Sequence, residues 1–191
     1  MRRPPSTEYD RRVRRLLTIV AGIAAAAAIV GIVIYGRSNS ALLTRAPVAP
    51  VRAIDRHAAP ALDGTTLTGT DVSLKSFTGK PVVINFFASS CVPCQAEAPG
   101  LAKMAHEFGS RVQLVGIAID SERHGAVAFV RHYHWDWPIV FDPSDSLAYR
   151  YGLFGKPTTV VLDQQGRIAW QHAGRISTRP IAQVLQALLR A

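Results

Sequence analysis

Cysteine is scarce in this chain: its 191 residues include two. Two thiols exclude a disulfide-stapled miniprotein and a four-cysteine zinc site. Acidic residues are also few, 13 against 22 Lys and Arg, so the formal net charge is +9. A charge of that size raises nucleic-acid binding as a first reading. Its distribution argues against it. Residues 1–15 carry six Arg against Glu8 and Asp10, or +4, and residues 16–52 add Arg37, Arg45 and Arg52 with no acid, or +3. Residues 53–191 hold 13 bases and 11 acids, or +2. The part long enough to fold as a globule is nearly neutral, so no nucleic-acid partner is expected. Apolar residues make up 48% of the chain, enough to bury a core and to exclude wholesale disorder.

Charge is absent altogether from Leu16 to Tyr35, a run of 20 residues. As a helix rising about 1.5 Å per residue it matches a bilayer core of about 30 Å. Ala24–Ala28 dilute its hydrophobicity, and the surrounding Leu, Ile and Val compensate. Arg11, Arg12, Arg14 and Arg15 should hold the N-terminus in the cytoplasm and leave the rest of the chain outside. A cleaved signal peptide is the rival reading. Its apolar region is shorter, about 7–15 residues, and Asn39-Ser40-Ala41 is a poor cleavage site. The Arg pairs lack the residues that usually follow a twin-arginine signal. Gly22 with Ala26 and Ala27 with Gly31 have helix-packing spacing, which Ala-rich spans also contain by chance. Residues 36–55, with Ser38-Asn39-Ser40, Pro47 and Pro50, read as a linker. The expected organisation is an Arg-rich head (1–15), a transmembrane anchor (16–35), the linker and a domain over 56–191.

In the domain, Asp63-Gly64 and Gly69-Thr70-Asp71 read as turn signals around a small N-terminal hairpin. Val82–Ala88 is a continuous apolar run, as expected of a strand buried on both faces. A helix follows from about Cys91 to Phe108, with Ala98, Leu101, Ala105 and Phe108 on one face. Val112–Ile119 is a second strand, so the crossover is parallel and right-handed. A helix over about Gly125–His134, a strand at Pro138–Phe141 and a helix at Ser144–Tyr151 come next. Thr158–Asp163 and Arg167–His172 pair through Gln164-Gln165-Gly166. A last helix starts near Ser177 or Thr178 with Pro180 in its first turn. The order predicts an α/β fold with a mixed sheet between helices.

Both cysteines fall in Cys91-Val92-Pro93-Cys94, after a strand and at a helix start. The unpaired N–H groups and positive dipole there favour a thiolate, the reactive form. A second thiol one turn on can attack a mixed disulfide made by the first. A purely structural bridge over two residues constrains the unfolded chain little. A metal would need two further ligands, and no third cysteine exists; His132 and His134 could join only through the fold. Redox chemistry is the expected use, with no cofactor beyond the Cys91–Cys94 pair and no metal.

The stretch from Val82-Val83-Ile84-Asn85-Phe86-Phe87 through Cys91-Val92-Pro93-Cys94-Gln95-Ala96-Glu97 resembles the TlpA/ResA/CcmG group of thioredoxin-like proteins, membrane-anchored thiol–disulfide oxidoreductases. Gly155-Lys156-Pro157-Thr158-Thr159 is similar to that group's cis-proline loop, and Val112–Asp142 to its helix–strand insertion. The resemblance covers residues 58–191 and implies roles. Cys91 would attack and Cys94 resolve, while Pro157 would be cis and face them, with the Lys156 backbone pairing with an extended substrate. Glu97, within one turn of Cys94, would belong to the site; a surface glutamate is the alternative. Asn85 stands where cytoplasmic thioredoxins hold a buried Asp, and Asn exchanges no proton. Pro99 would bend the helix.

Two features set the chain apart. Ser90 replaces the Trp usual before the first cysteine, which removes an aromatic wall used by partners. Lys156 either places a cation near Cys91 or faces solvent. The group implies reduction of protein disulfides outside the cytoplasmic membrane, with apocytochrome c as substrate and a membrane thiol protein as electron donor. A disulfide-forming oxidase, and a non-catalytic copper-handling protein on the same fold, are the alternatives. A peroxidase would want Thr at position 88, which is Ala.

Overall fold

The computed structural model describes residues 17, 19, 22, 23, 26–28, 49–52, 55–119, 122–153 and 155–191. The chain divides into two compact units, Met1–Ala46 and Pro47–Ala191. In the first, the described positions are helical, with Leu17, Ile19 and Ile23 exposed. The Arg-rich head and most of the expected span and linker lie outside the described residues. Among the described residues no helix is long and apolar enough to cross a membrane.

The second unit is a five-stranded mixed sheet with helices on both faces. Its strands are β3 (Val82–Phe87), β4 (Gln113–Ala118), β5 (Ile139–Phe141), β6 (Thr158–Leu162) and β7 (Ile168–Ala173). They lie in the order β5-β4-β3-β6-β7. The three strands joined through helices are parallel, β6 runs antiparallel to β3, and β7 antiparallel to β6. A two-stranded ribbon, β1 (Asp63–Thr65) and β2 (Asp71–Ser73), precedes them. The helices are α1 (Val92–Phe108), α2 (Arg123–His132), α3 (Ser146–Arg150) and α4 (Thr178–Leu188).

β3 is buried on both faces, and its alternation divides the core in two. Val83 and Phe87 pack with Cys94, Ala98, Leu101, Met104 and Phe108 of α1 and with Phe129 of α2 and Ile181 of α4. Val82, Ile84 and Phe86 pack on the other face with Leu62, Leu147, Tyr151 and Leu153. Phe86 and Phe87 are both fully buried, each contributing about 1.5–3 kcal/mol through its apolar surface. By the same alternation Asn85 faces α1, between Val83 and Phe87, and this brings the site together.

The structure departs from the sequence expectations at element ends. Asp63-Gly64 is strand rather than turn. A Cβ at position 64 would lie 2.6 Å from Val140 Cγ1, so glycine here admits β5 rather than reversing the chain. Residue 104, not 105, joins the fully buried row of α1, and Glu97 lies on that row too. The helix expected over 125–134 begins at Arg123 and ends at His132, before His134 takes a left-handed φ of 54°. The helix expected over 144–151 shortens to α3, because the Asp142 carboxylate accepts from the backbone N–H of Ser146 and Leu147 and so starts it later. Two residues before β1 are hydrogen-bonded to β7: Val51 N–H donates to Ala169 O at 2.7 Å, and Ile168 N–H to His57 O at 2.9 Å.

Candidate active site

The site begins where β3 ends. Ser89 and Ser90 turn the chain, and Cys91 is the N-cap of α1 rather than its first helical residue. Its backbone is extended (φ −80°, ψ 106°), which turns Sγ back over the first turn. Cys94 N–H donates to Cys91 Sγ at 3.3 Å. The sulfur thus stands where a capping oxygen usually accepts, against the positive end of a 17-residue helix. Pro93 sits in the first turn, where its missing N–H costs nothing. Cys91 and Cys94 form a disulfide, with Cα atoms 5.2 Å apart. Cys91 is half-buried and Cys94 is 1% exposed, so the two cysteines differ in access.

Two loops surround the disulfide. β6 pairs antiparallel with β3, placing Thr158 opposite Phe86, so the loop before β6 arrives at the sheet end that carries Cys91. There the Lys156–Pro157 peptide bond is cis. Pro157 is buried, and its carbonyl accepts from Gly174 N–H at 2.8 Å, tying this loop to the end of β7. Lys156 is exposed and, among the described residues, makes no ion pair; it lines a cleft of about 320 Å³ with Phe86, Ile119, Asp145 and Tyr149. On the other side the insertion closes in. A Cβ at Gly125 would lie 2.7 Å from Ser89 Oγ, so α2 comes close to the turn before Cys91 and a larger residue there would have to displace the Ser89 hydroxyl. Ser90 and Val92 remain exposed where the usual Trp is absent. The domain's aromatic cluster sits deeper: Phe87 meets Phe129 and Trp135 at 4.8 and 4.9 Å, and the Trp135 indole donates to Ala98 O at 3.2 Å, beside Pro99.

Glu97, three residues beyond Cys94, is 6% exposed and points into the domain. Its Oε1 accepts from Asn85 Nδ2 at 2.9 Å, and its Oε2 from Ile176 N–H at 3.3 Å. Desolvation by burial pushes its pKa up; the Asn85 and Ile176 hydrogen bonds and the nearby Arg175 charge oppose this. Burial outweighs these, and the carboxyl is held above its ordinary value. Asn85 Nδ2 also donates to Thr159 Oγ1 at 3.1 Å, because Asn85 and Thr159 are cross-strand partners on one face. Beside Glu97, Arg175, Ile176, Ser177 and Thr178 line a cleft of about 480 Å³.

Cys91, Cys94 and Glu97 therefore share one helix end, with Lys156 and Pro157 on the loop that reaches the same end of the sheet. The contacts of Asn85 with Glu97 and with Thr159 were missed from sequence. The available signal was Asn85 itself, the one polar residue in an apolar run. Among the described residues no cluster of three or more His, Cys, Asp or Glu side chains is placed to hold a metal ion, His132 and His134 included.

Comparison with known proteins agrees with this geometry. The AhpC/TSA family model matches residues 56–171. The thioredoxin-like protein YneN of Bacillus subtilis is 32% identical over 130 residues, covering 66% of this chain and 76% of that one. The thiol–disulfide oxidoreductase ResA of Halalkalibacterium halodurans is 26% identical over 123 residues, 64% of this chain and 70% of that one. A DsbF homologue from Corynebacterium diphtheriae superposes with a TM-score of 0.69 at 27% identity, over 76% of this chain and 96% of that one. A secreted thiol–disulfide isomerase from Corynebacterium glutamicum superposes with a TM-score of 0.70 at 26% identity, over 78% and 95%. With a half-buried cysteine capping a helix and bonded to a buried one a turn later, the chain belongs to the AhpC/TSA family as a thioredoxin-fold thiol–disulfide oxidoreductase of the TlpA/ResA/CcmG kind.

Proposed function

We propose that the protein reduces disulfides of protein substrates outside the cytoplasmic membrane, held there by an uncleaved helix over residues 16–35. The observation that carries the chemistry is the unequal access of Cys91 and Cys94 at the start of α1. In the reduced protein the Cys91 thiolate attacks a substrate disulfide. One Cys91–substrate S–S bond forms, and the first substrate sulfur leaves as a thiolate that takes a proton from water. Cys94 then gives its thiol proton to the Glu97 carboxylate, and its thiolate attacks Cys91 Sγ. The Cys91–Cys94 disulfide forms, and the second substrate sulfur leaves and is protonated. Two electrons pass from the pair to the substrate, and a dithiol donor in the membrane restores them. No cofactor besides the cysteine pair takes part in this scheme.

Support for the topology comes from the charge-free run, the Arg-rich residues before it and the exposed Leu17, Ile19 and Ile23 on helical positions within it. The cis-Pro157 loop, with the Lys156 backbone beside it, is the proposed seat for an extended substrate segment. Apocytochrome c, with its closely spaced cysteines, is the proposed substrate and would tie the protein to cytochrome c maturation. The test is Cys94→Ser in the full chain. It should accumulate mixed disulfides through Cys91, and the trapped partners name the substrate. Recovery of partners only from Cys91→Ser would reverse the roles. A reduction potential below about −200 mV is expected; one near about −120 mV would make the protein an oxidase instead.

A further inference from the structure

Gln95 has no part in the scheme above, yet its side chain reaches back over the turn that carries Cys91. In that turn Cys91 N–H donates to Ala88 O at 3.2 Å, and Ser89 and Ser90 are the two central residues. The Ser89 carbonyl belongs to the peptide that joins them, so the bond closing the turn does not use it. Gln95, half-buried in α1, donates to this carbonyl from Nε2 at 2.8 Å. Side chains of a helix lean toward its N-terminus, which is the direction this contact needs. With Cys91 as N-cap, Ser90 stands just before the cap and Gln95 is the fourth helical residue. An apolar pair at these two places commonly fixes the angle at which a chain enters a helix. Ser90 is polar and exposed and cannot make that pair. The Gln95 hydrogen bond spans nearly the same gap, one residue further back.

We propose that Gln95 is a positioning residue for Cys91: its amide fastens the Ser89 carbonyl and so holds the Cys91 sulfur over the first turn of α1, where the helix end stabilises the attacking thiolate. The entry angle matters because Cys91 is both the cap and the reacting group. Its extended backbone turns Sγ toward Cys94 N–H, 3.3 Å away. A turn free to rotate would carry Sγ away from that N–H and from the positive end of the helix. On the other side α2 comes close: a Cβ at Gly125 would lie 2.7 Å from Ser89 Oγ. Ser89 is thus held between two helices, by its carbonyl from α1 and by close approach from α2. Gln95 touches no reacting atom and acts through Ser89 alone.

Among the described residues, the charged and titratable groups on the elements around this turn are Glu97 on α1, Glu122, Arg123 and His124 at the start of α2, Lys156 on the cis-proline loop and Arg175 after β7. Gln95→Met alters none of them. Met keeps the length, the neutrality and much of the helix preference of Gln, and it has no donor. A change in Cys91 titration then reports the lost hydrogen bond rather than a changed charge. This inference rests on the reading that Cys91 is the attacking thiol, and its test separates the two.

The measurement is alkylation by iodoacetamide of the reduced full-length chain in detergent, followed against pH. It is made on the Cys94→Ser form, so that Cys91 alone reacts. Adding Gln95→Met should move the midpoint of the rate profile upward, a rise of roughly threefold to tenfold in the proton affinity of Cys91, within what one hydrogen bond to a charged group contributes. The plateau at high pH should not fall, since a more basic thiolate is the stronger nucleophile. Gln95→Ala should move the midpoint the same way. A midpoint that stays in place in both variants would overturn the proposal, even where the urea midpoint drops, because the bond would then serve the fold alone. The role of Cys91 is read with Gln95 intact, by comparing Cys91 in Cys94→Ser with Cys94 in Cys91→Ser. Should Cys94 react faster while Gln95→Met still shifts Cys91, the positioning stands and the attacking role fails. Should Cys91 react faster while Gln95→Met leaves its midpoint alone, the role stands and the positioning falls.

Discussion

Glu97 and Asp163 are both buried carboxylates, one at each end of the sheet, and their surroundings push them in opposite directions. Asp163 follows β6, whose last residue pairs with the first of β3; Glu97 lies on the helix that leaves the other end of β3. Asp163 is fully buried but meets two guanidinium groups, Arg56 at 3.1 Å and Arg167 at 2.9 Å. The backbone N–H groups of Gln165 and Arg167 also donate to its Oδ1. Burial raises its pKa, but these hydrogen bonds together overcome it and hold the carboxyl below its ordinary value. Glu97 has one amide donor, one longer backbone N–H and no ion pair among the described residues; burial wins, and its carboxyl is held above its ordinary value. Burial alone therefore says little about a carboxylate's use. Many paired donors hold a buried carboxyl below its ordinary pKa; with few, burial raises it.

The sharpest way to break this contrast is Asp163→Ala. It strands Arg56 and Arg167 and unties the β6–β7 turn, and a loss of about 3–5 kcal/mol is expected by urea unfolding. Thiol exchange per folded molecule should not change. Glu97→Gln should do the reverse. At neutral pH, stability should hold while stopped-flow resolution of a mixed disulfide slows about 100-fold, or about 2.7 kcal/mol of barrier.

Acid titration gives the next effect. Asp163 has a lowered folded pKa, so its stabilisation is present above the ordinary carboxyl value near about 4 and lost as pH falls through the folded one. Glu97 has a raised folded pKa, so its linked stability is full below about 4 and lost as pH rises through the folded one. Urea midpoints from acid to neutral pH should therefore show the margin over Asp163→Asn shrinking toward acid. The margin over Glu97→Gln should shrink toward neutral pH instead. Equal pH profiles for the two variants would end the distinction. The smallest effect is expected at Thr159→Val, which removes one hydrogen bond to Asn85 and should cost about 1 kcal/mol.

How far these differences could be read beforehand varies by residue. The apolar run at 82–88, the Cys91–Cys94 spacing and Pro157 were legible, because each is a local pattern tied to a local cause. Gly64 misled for the same reason: a glycine beside Asp reads as a turn, and only the approach of Val140 shows why it sits in a strand. Glu97 was open between surface and site, since one turn of helix places it near Cys94 but not on the buried face. The Arg56–Asp163 pair spans 107 residues, and no sequence period records such a contact.

The sequence by itself determined the chemistry and the layering of this protein. Two cysteines three apart at a helix start, with strands and helices set by their periods, follow from spacing that a chain carries before it folds. The division of labour among buried polar groups was decided by tertiary structure. Asn85 meets Glu97 because the pleat of β3 turns position 85 toward α1. Asn85 meets Thr159 because β6 is in register with β3. Which carboxyl is held below its ordinary pKa and which above it depends on donors that arrive from distant segments, and only the folded packing brings them there.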